Sequence, residues 1–269
     1  MICPVKNIES ILPLVPGIEY IGKQALKEQN LKLFNSRSFK EDGSVLTYMD
    51  KTVEHYLFEI ISGKFPQANF MSEETEFPTD LNKEYLFILD PVDGTDSYSQ
   101  GLFGWSVSLA LCDGTGNPVA GIIYAPRLDL MVVADILKPP VLNGQPLQAA
   151  SDTAPLSGRT NIMADSGIFR EINFNRFPGK VRQIGCASLH VCAPAVYPGI
   201  YASIQRRAFI WDIAAACAIN HAAGYITEYL DGAAISFPRL LDKSLASDLI
   251  ISGRRNHIDE LKRHICRVS

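Results

Sequence analysis

The stretch EYLFILDPVDGTDSY at 84–98 constrains this chain more than any other. Its apolar run, Tyr85–Leu89, is short and bounded, and reads as a buried strand that carries Asp90 to its end. Pro91 has no N–H for a sheet ladder and is expected to stop the strand there. Asp93 follows three residues after Asp90, and Gly94 and Thr95 turn the chain into a short helix whose first N–H groups suit an anion. Two carboxylates so close repel unless a cation lies between them. Oxygen-only ligands of this kind suit Mg2+ or Mn2+ rather than Zn2+. Taken alone, the D-x-x-D spacing is equally a hairpin turn with solvated aspartates.

More carboxylates stand at comparable places. SEETEF at 72–77 follows an apolar strand at 68–71, so Glu73 and Glu74 sit just past a strand end, where an acidic loop is also ordinary. Asp50 closes SVLTYMD, and Asp212 heads the Ala-rich helix of FIWDIAAA. There Asp212 serves the helix dipole or, if buried against Trp211, requires a nearby cation.

Composition narrows the class. With 269 residues, 25 Lys+Arg against 29 Asp+Glu and a net charge of -4, the chain has the length of roughly one to two domains. Its mild acidity speaks against a nucleic acid polymer or an anionic membrane as the main partner. The apolar stretch IWDIAAACAINHAAGYI carries Asp212 and His221, which a lipid span resists. The opening MICPVKNIESILPLVPG, broken by a lysine and two prolines, is a poor signal peptide. Six cysteines without a C-x-x-C pair point to a reduced, cytoplasmic protein.

Periodicity predicts helices over 17–29 and 50–63, then strands over 69–72, 85–89, 106–112, 119–124 and 130–134. The second half is predicted to hold helices at 187–196 and 212–223, strands at 200–203 and 249–251, and a last helix from an Asn256 N-cap to about residue 266. This is an α/β chain, with an α+β half over 1–145 and an α/β half over 146–269. The Pro-, Gly- and Ser-rich segment 136–158 is the expected joint.

SEE, LDPVDGT and WDIAAACAINHAAG, in this order and at these separations, resemble the inositol monophosphatase superfamily over about residues 22–253. The resemblance implies a layered αβαβα sandwich of the inositol monophosphatase and fructose-1,6-bisphosphatase type, commonly a homodimer, with lithium-sensitive phosphatase activity. KEDGSVLTYMD at 40–50, SEE, and GCASLHVC at 185–192 are similar to the 3′(2′),5′-bisphosphate nucleotidase branch. Two or three Mg2+ ions are implied, with Mn2+ as a substitute. Glu73, Asp90 and the Val92 carbonyl would hold one, and Asp90, Asp93 and Asp212 a second. Thr95, supported by Asp50 or Glu73, would orient the attacking water. Glu74 would assist from farther out or hold a third, weaker ion. Asp93, Gly94, Thr95, Ser188, His190 and Asp212 would contact substrate.

That substrate would be a small phosphorylated metabolite, first among them the 3′-phosphate of adenosine 3′,5′-bisphosphate. Inositol monophosphate and fructose 1,6-bisphosphate are the alternatives within the same chemistry. A catalytically silent regulatory binding protein is the alternative from another class. The chain departs from the branch at His190, where Lys is usual, at Asp96, at Tyr225 and in CAPAVYPG at 192–199; on their apolar helices His190 and His221 read first as packed core or surface histidines, which an oxygen-rich site does not need. Arg206 and Arg207 are either phosphate contacts or a solvated turn, and Arg254 and Arg255 read as surface charges opening the last helix. Phe103 and Trp105 are expected to pack the short helix after Gly94 onto its strand.

Overall fold

The computed structural model describes residues 9–31, 38–39, 43, 45–75, 83–147 and 155–268. Cys3, the Lys40, Asp42 and Ser44 side of the KEDGS run, and residues 148–154 of the expected joint lie outside the described residues.

A 3-10 turn at Leu12–Leu14 runs straight into helix α1, Val15–Leu31. Pro16 therefore does not interrupt a helix. It sits in the first turn, where the N–H it lacks would have had no partner. A Thr-x-x-Asp pair starts α2, Tyr48–Lys64: the Thr47 side chain accepts from Met49 N, and Asp50 accepts from Thr47 N at 2.8 Å. Such reciprocal capping is worth about 1 kcal/mol.

α1 and α2 bury Ile18, Ile21 and Ala25, and Val53, Leu57 and Ile61, in a cluster with Phe87, Leu89, Val107, Leu109, Leu111 and Ile122. The last six lie on one face of a seven-stranded sheet. Its strands are β1 (Ala68–Ser72), β2 (Tyr85–Asp93), β3 (Ser106–Cys112), β4 (Pro118–Ala125), β5 (Leu130–Asp135), β6 (Lys138–Leu142) and β7 (Gln145–Pro146). They lie in chain order. β1 and β2 run parallel and every later pair antiparallel.

Strand side chains alternate between faces, so Ile88, Ala110, Ile123 and Val132 point the other way, into a cluster with α4 (Ala187–Val196) and α5 (Ile210–Ala222). Both helices are apolar nearly all round, as a layer between two sheets must be. The second sheet has strands β8 (Asn161–Ala164), β9 (Lys180–Arg182), β10 (Ile200–Gln205), β11 (Ile226–Tyr229) and β12 (Ile250–Gly253), in the order β9-β8-β10-β12-β11. α6, Arg255–Lys262, covers its outer face, packing Ile258 and Leu261 with Ile162, Ala202, Ile204 and Ile251. The layers follow one another as helix, sheet, helix, sheet, helix, the αβαβα sandwich expected from the sequence.

Five strands, β6 to β9 and β11, escaped the sequence reading, β6 and β7 within the segment expected to be the joint. The last helix also differs. Arg254 is its N-cap, Asn256 lies within its first turn, and it ends at Lys262. Cys266 instead pairs with Asn173 in a two-stranded ribbon. Cys112, Cys186, Cys192, Cys217 and Cys266 are free thiols. No helix among the described residues is long and apolar enough to cross a membrane.

Candidate active site

β2 does not stop at Pro91. Its pairing with β3 steps from Asp90–Ser108 to Asp93–Ser106, so two residues, Pro91 and Val92, face one. A bulge absorbs a proline in this way because the bulged residue owes the ladder no hydrogen bond. The strand then turns at Gly94, in the left-handed region at φ 88, into the short helix α3, Thr95–Ser99. A Cβ at residue 94 would lie 2.5 Å from the Gly104 carbonyl and 2.8 Å from that of Gly185. Only glycine fits there.

The bulge and turn aim Asp90 and Asp93 toward α4 and α5. Asp90 accepts from Val92 N at 3.1 Å. Asp93 is held at the start of α4 by Ala187 N at 3.0 Å, Ser188 N at 2.6 Å and the Cys186 thiol at 3.0 Å. A carboxylate at a helix N-terminus gains both hydrogen bonds and the dipole. Asp212, in the first turn of α5, accepts from Phe209 N at 2.7 Å. Asp90, Asp93 and Asp212 each place a carboxylate oxygen within 4.8 Å of the others.

Burial, and then the charges of Glu73, Asp93, Asp212 and Asp50, push the Asp90 carboxyl well above its usual range. Asp212 is pushed up in the same way by burial, Asp93 and Glu73, although a hydrogen bond with Asp90 and the Phe209 amide pull it down. Among the described residues no Lys or Arg forms an ion pair with Asp50, Asp90, Asp93 or Asp212. The residues therefore fit a hard divalent cation, which supplies the missing positive charge to an all-oxygen donor set.

The remaining predicted residues are placed variously. Glu73 follows β1, its N donating to Leu89 O at 3.3 Å; it stands outside the tight cluster, but its charge acts on Asp50, Asp90 and Asp212. Glu74 lies beside it, partly buried. The Thr95 hydroxyl lies 3.0 Å from Asp50 Oδ1 and 2.8 Å from Val92 O, with one proton to donate. Asp50 is fully buried, and that burial raises its carboxyl to about 6.

Ser188 is buried, its amide on Asp93 and its hydroxyl 3.0 Å from that of Ser106. His190 fits the packed-histidine reading rather than the substrate contact. Its Nε2 accepts from Ile184 N at 2.9 Å and Gly185 N at 3.3 Å, and Nδ1 lies 3.1 Å from Gln205 Oε1. The amides fix Nε2 as acceptor, so Nδ1 carries the proton, and burial lowers the ring's pKa. This neutral imidazole braces the 184–185 turn and has no ring nitrogen left for a phosphate.

Asp96 is exposed and bonds Gln100. Trp105 packs edge-on against Tyr98 of α3 at 4.9 Å and is fully buried, while Phe103 is 49% exposed. Arg206 pairs with Asp165 across Gly167. Cys186, which donates to Asp93, and Thr47, which anchors Asp50 with its amide and hydroxyl, were missed. The capping-box spacing of Thr47 and Asp50 was the available signal for the second.

The model of the inositol monophosphatase family matches residues 19–267. The fructose-1,6-bisphosphatase/inositol-1-monophosphatase of Aquifex aeolicus is 26% identical over 234 residues, covering 82% of this chain and 86% of that one. The extragenic suppressor protein suhB from Bartonella henselae has a similar structure, with a TM-score of 0.78 at 22% identity over 93% of this chain and 96% of that one. SaIMPase-II, solved with bound 2′AMP, has a TM-score of 0.72 at 20% identity over 93% of this chain and 91% of that one. The same relative has also been solved with inositol monophosphate.

Proposed function

Because the chain belongs to the inositol monophosphatase family, and so to a family of phosphatases, we propose that it is a Mg2+-dependent phosphomonoesterase acting on a monophosphate of a small polyol or sugar. The supporting observation is the gathering of Asp90, Asp93 and Asp212 within 4.8 Å beside the Thr95–Asp50 pair.

Asp90, Asp93 and Asp212 would hold one ion, and Asp90, Glu73 and the Val92 carbonyl another. Bound there, divalent ions supply charge stabilisation to the phosphoryl oxygens and acidity to the attacking water. The chain's own residues do the rest. Thr95, with its proton directed to Asp50, offers lone pairs to a water and so aims that water's own lone pair at phosphorus. As the new P–O bond forms, the water's proton passes to Thr95 Oγ1 and the hydroxyl proton to Asp50 Oδ1, an acceptor poised at about 6 and thus suited to neutral pH. The ester P–O bond breaks opposite, and its oxygen leaves with a proton drawn from water. The first-turn N–H groups of α3 have no partners within the helix and are suited to grip the phosphate.

The inward-facing His190 favours substrates with a single phosphate, because it supplies no cation for a second. The KEDGSVLTYMD run favours a second reading, the 3′-phosphate of adenosine 3′,5′-bisphosphate. Phosphate release from inositol 1-phosphate, fructose 1,6-bisphosphate, 2′-AMP and adenosine 3′,5′-bisphosphate, each with Mg2+ and with EDTA, tests both. The expected result is EDTA-sensitive release, fastest on inositol 1-phosphate. Mg2+ binding with no release from any of the four would mark a silent binding protein instead.

A further inference from the structure

A cavity of 370 Å³ opens on the second sheet, its lining including Asn161 and Ile200, the first residues of β8 and β10. Of the carboxylates, Asp212 follows the other end of β10 in the chain, at the head of α5. β10 runs from the cavity through six residues to Gln205, and α5 with Asp212 follows. Six residues of strand span roughly 20 Å.

The chemistry of the cavity is the reverse of that of the catalytic cluster. No Asp or Glu lines it, whereas Arg159 and Arg254 both do. The Arg159 guanidinium is exposed and has no ion pair among the described residues. Arg254 is the N-cap of α6, which has no side-chain cap, and its guanidinium lies 5.6 Å from the centre of the Tyr225 ring. The N-terminal turn of that helix adds a partial positive charge. His257 stacks on Tyr201 at 3.7 Å and 13°, held by a 3.1 Å contact between Nδ1 and the Tyr201 carbonyl, and both residues line the cavity.

We propose that this cavity binds a small organic phosphate bearing a planar ring, of the size of a nucleoside monophosphate, at a site separate from the catalytic one. Planar guanidinium groups match phosphate oxygens in pairs, and Tyr201, the partly exposed member of its stack with the buried His257, gives a flat ring an aromatic surface to pack on. The volume falls in the range of small-molecule pockets. The inference stands on the cavity alone and is independent of the proposed phosphatase substrate.

Isothermal titration of the full chain in EDTA, with guanosine 5′-monophosphate, inorganic phosphate and guanosine as probes, tests it. One nucleotide is expected to bind per chain, at least fivefold more tightly than either fragment. Arg159→Gln and Arg254→Gln should each weaken that binding at least fivefold, while Asp212→Asn leaves it unchanged. The exposed Arg159→Gln variant should also keep wild-type Mg2+-dependent phosphate release. The proposal fails if no nucleotide binds up to millimolar concentration, if binding ignores both arginine variants, or if Asp212→Asn abolishes it.

Discussion

Asp90 lies fully inside the fold, among acidic neighbours, with the Val92 amide as its hydrogen-bonded support. A carboxylate so placed is tolerated for what it binds, because burial and like charge both oppose it. Asp90→Asn should therefore lower Mg2+-dependent turnover by at least about 1000-fold, equivalent to about 4 kcal/mol of barrier. In EDTA the variant should melt at or above the wild-type temperature, because one repelling charge is gone. Phosphate-release kinetics and thermal unfolding in EDTA check the two halves; an EDTA melting point well below wild type would make Asp90 a structural residue. Asp90 and Asp93 were legible because an apolar run, a proline and a DGT turn are local signals. His190 was not: its role depends on two amides of the 184–185 turn and on Gln205, and no spacing within GCASLHVC reveals them.

The elements meet at a tight seam beside the site. A Cβ on Gly104 would lie 1.7 Å from the Ile184 carbonyl, so the loop leading to β3 and the turn leading to α4 touch backbone to backbone. Gly104→Ala must push them apart, which should cost about 3 kcal/mol. It should also weaken Mn2+ binding, because Asp93 is clamped across the same seam. Gly63→Ala, in α2 with open space around it, should leave both properties near wild type. Thermal unfolding and Mn2+ titration distinguish the pair; a Gly104→Ala protein as stable as wild type would mean that the seam gives way freely. Helices α1, α2, α4 and α5 were readable from their apolar spacing, and β1 to β5 from their short runs. β6 to β9 and β11 were not: β7, β8, β9 and β11 have two to four residues, too few for a pattern, and β6 carries two prolines. Pro91 misled, since a bulge let the strand pass it.

In the whole molecule the acidic centre is assembled from distant stretches of chain. Asp90 and Asp93 come with the first sheet, and Asp212 comes with the helix layer that follows β10. Asp50 rises from the usual 3.8 to about 6 in the folded state, and burial and like charge push Asp90 and Asp212 up as well. A raised folded pKa means that the native state holds protons which the unfolded chain releases. The stability that Asp50 contributes is complete below about pH 4 and is lost as pH climbs through 6. For Asp50 alone the loss is about 3 kcal/mol. Divalent ions bound as proposed, to the folded, deprotonated site alone, would offset it. The rise in melting temperature that Mg2+ gives over EDTA should therefore grow between pH 5 and pH 8. An equal rise at both values would show that protons and metal do not compete there. The layer order adds a constraint of its own. α4 and α5 are wetted on neither side, yet they come after Pro146 in the chain. A fragment ending at Pro146 would carry the DPVDGT turn with one oily flank of its sheet bare, so splitting the gene there should yield two pieces that dissolve only when made together.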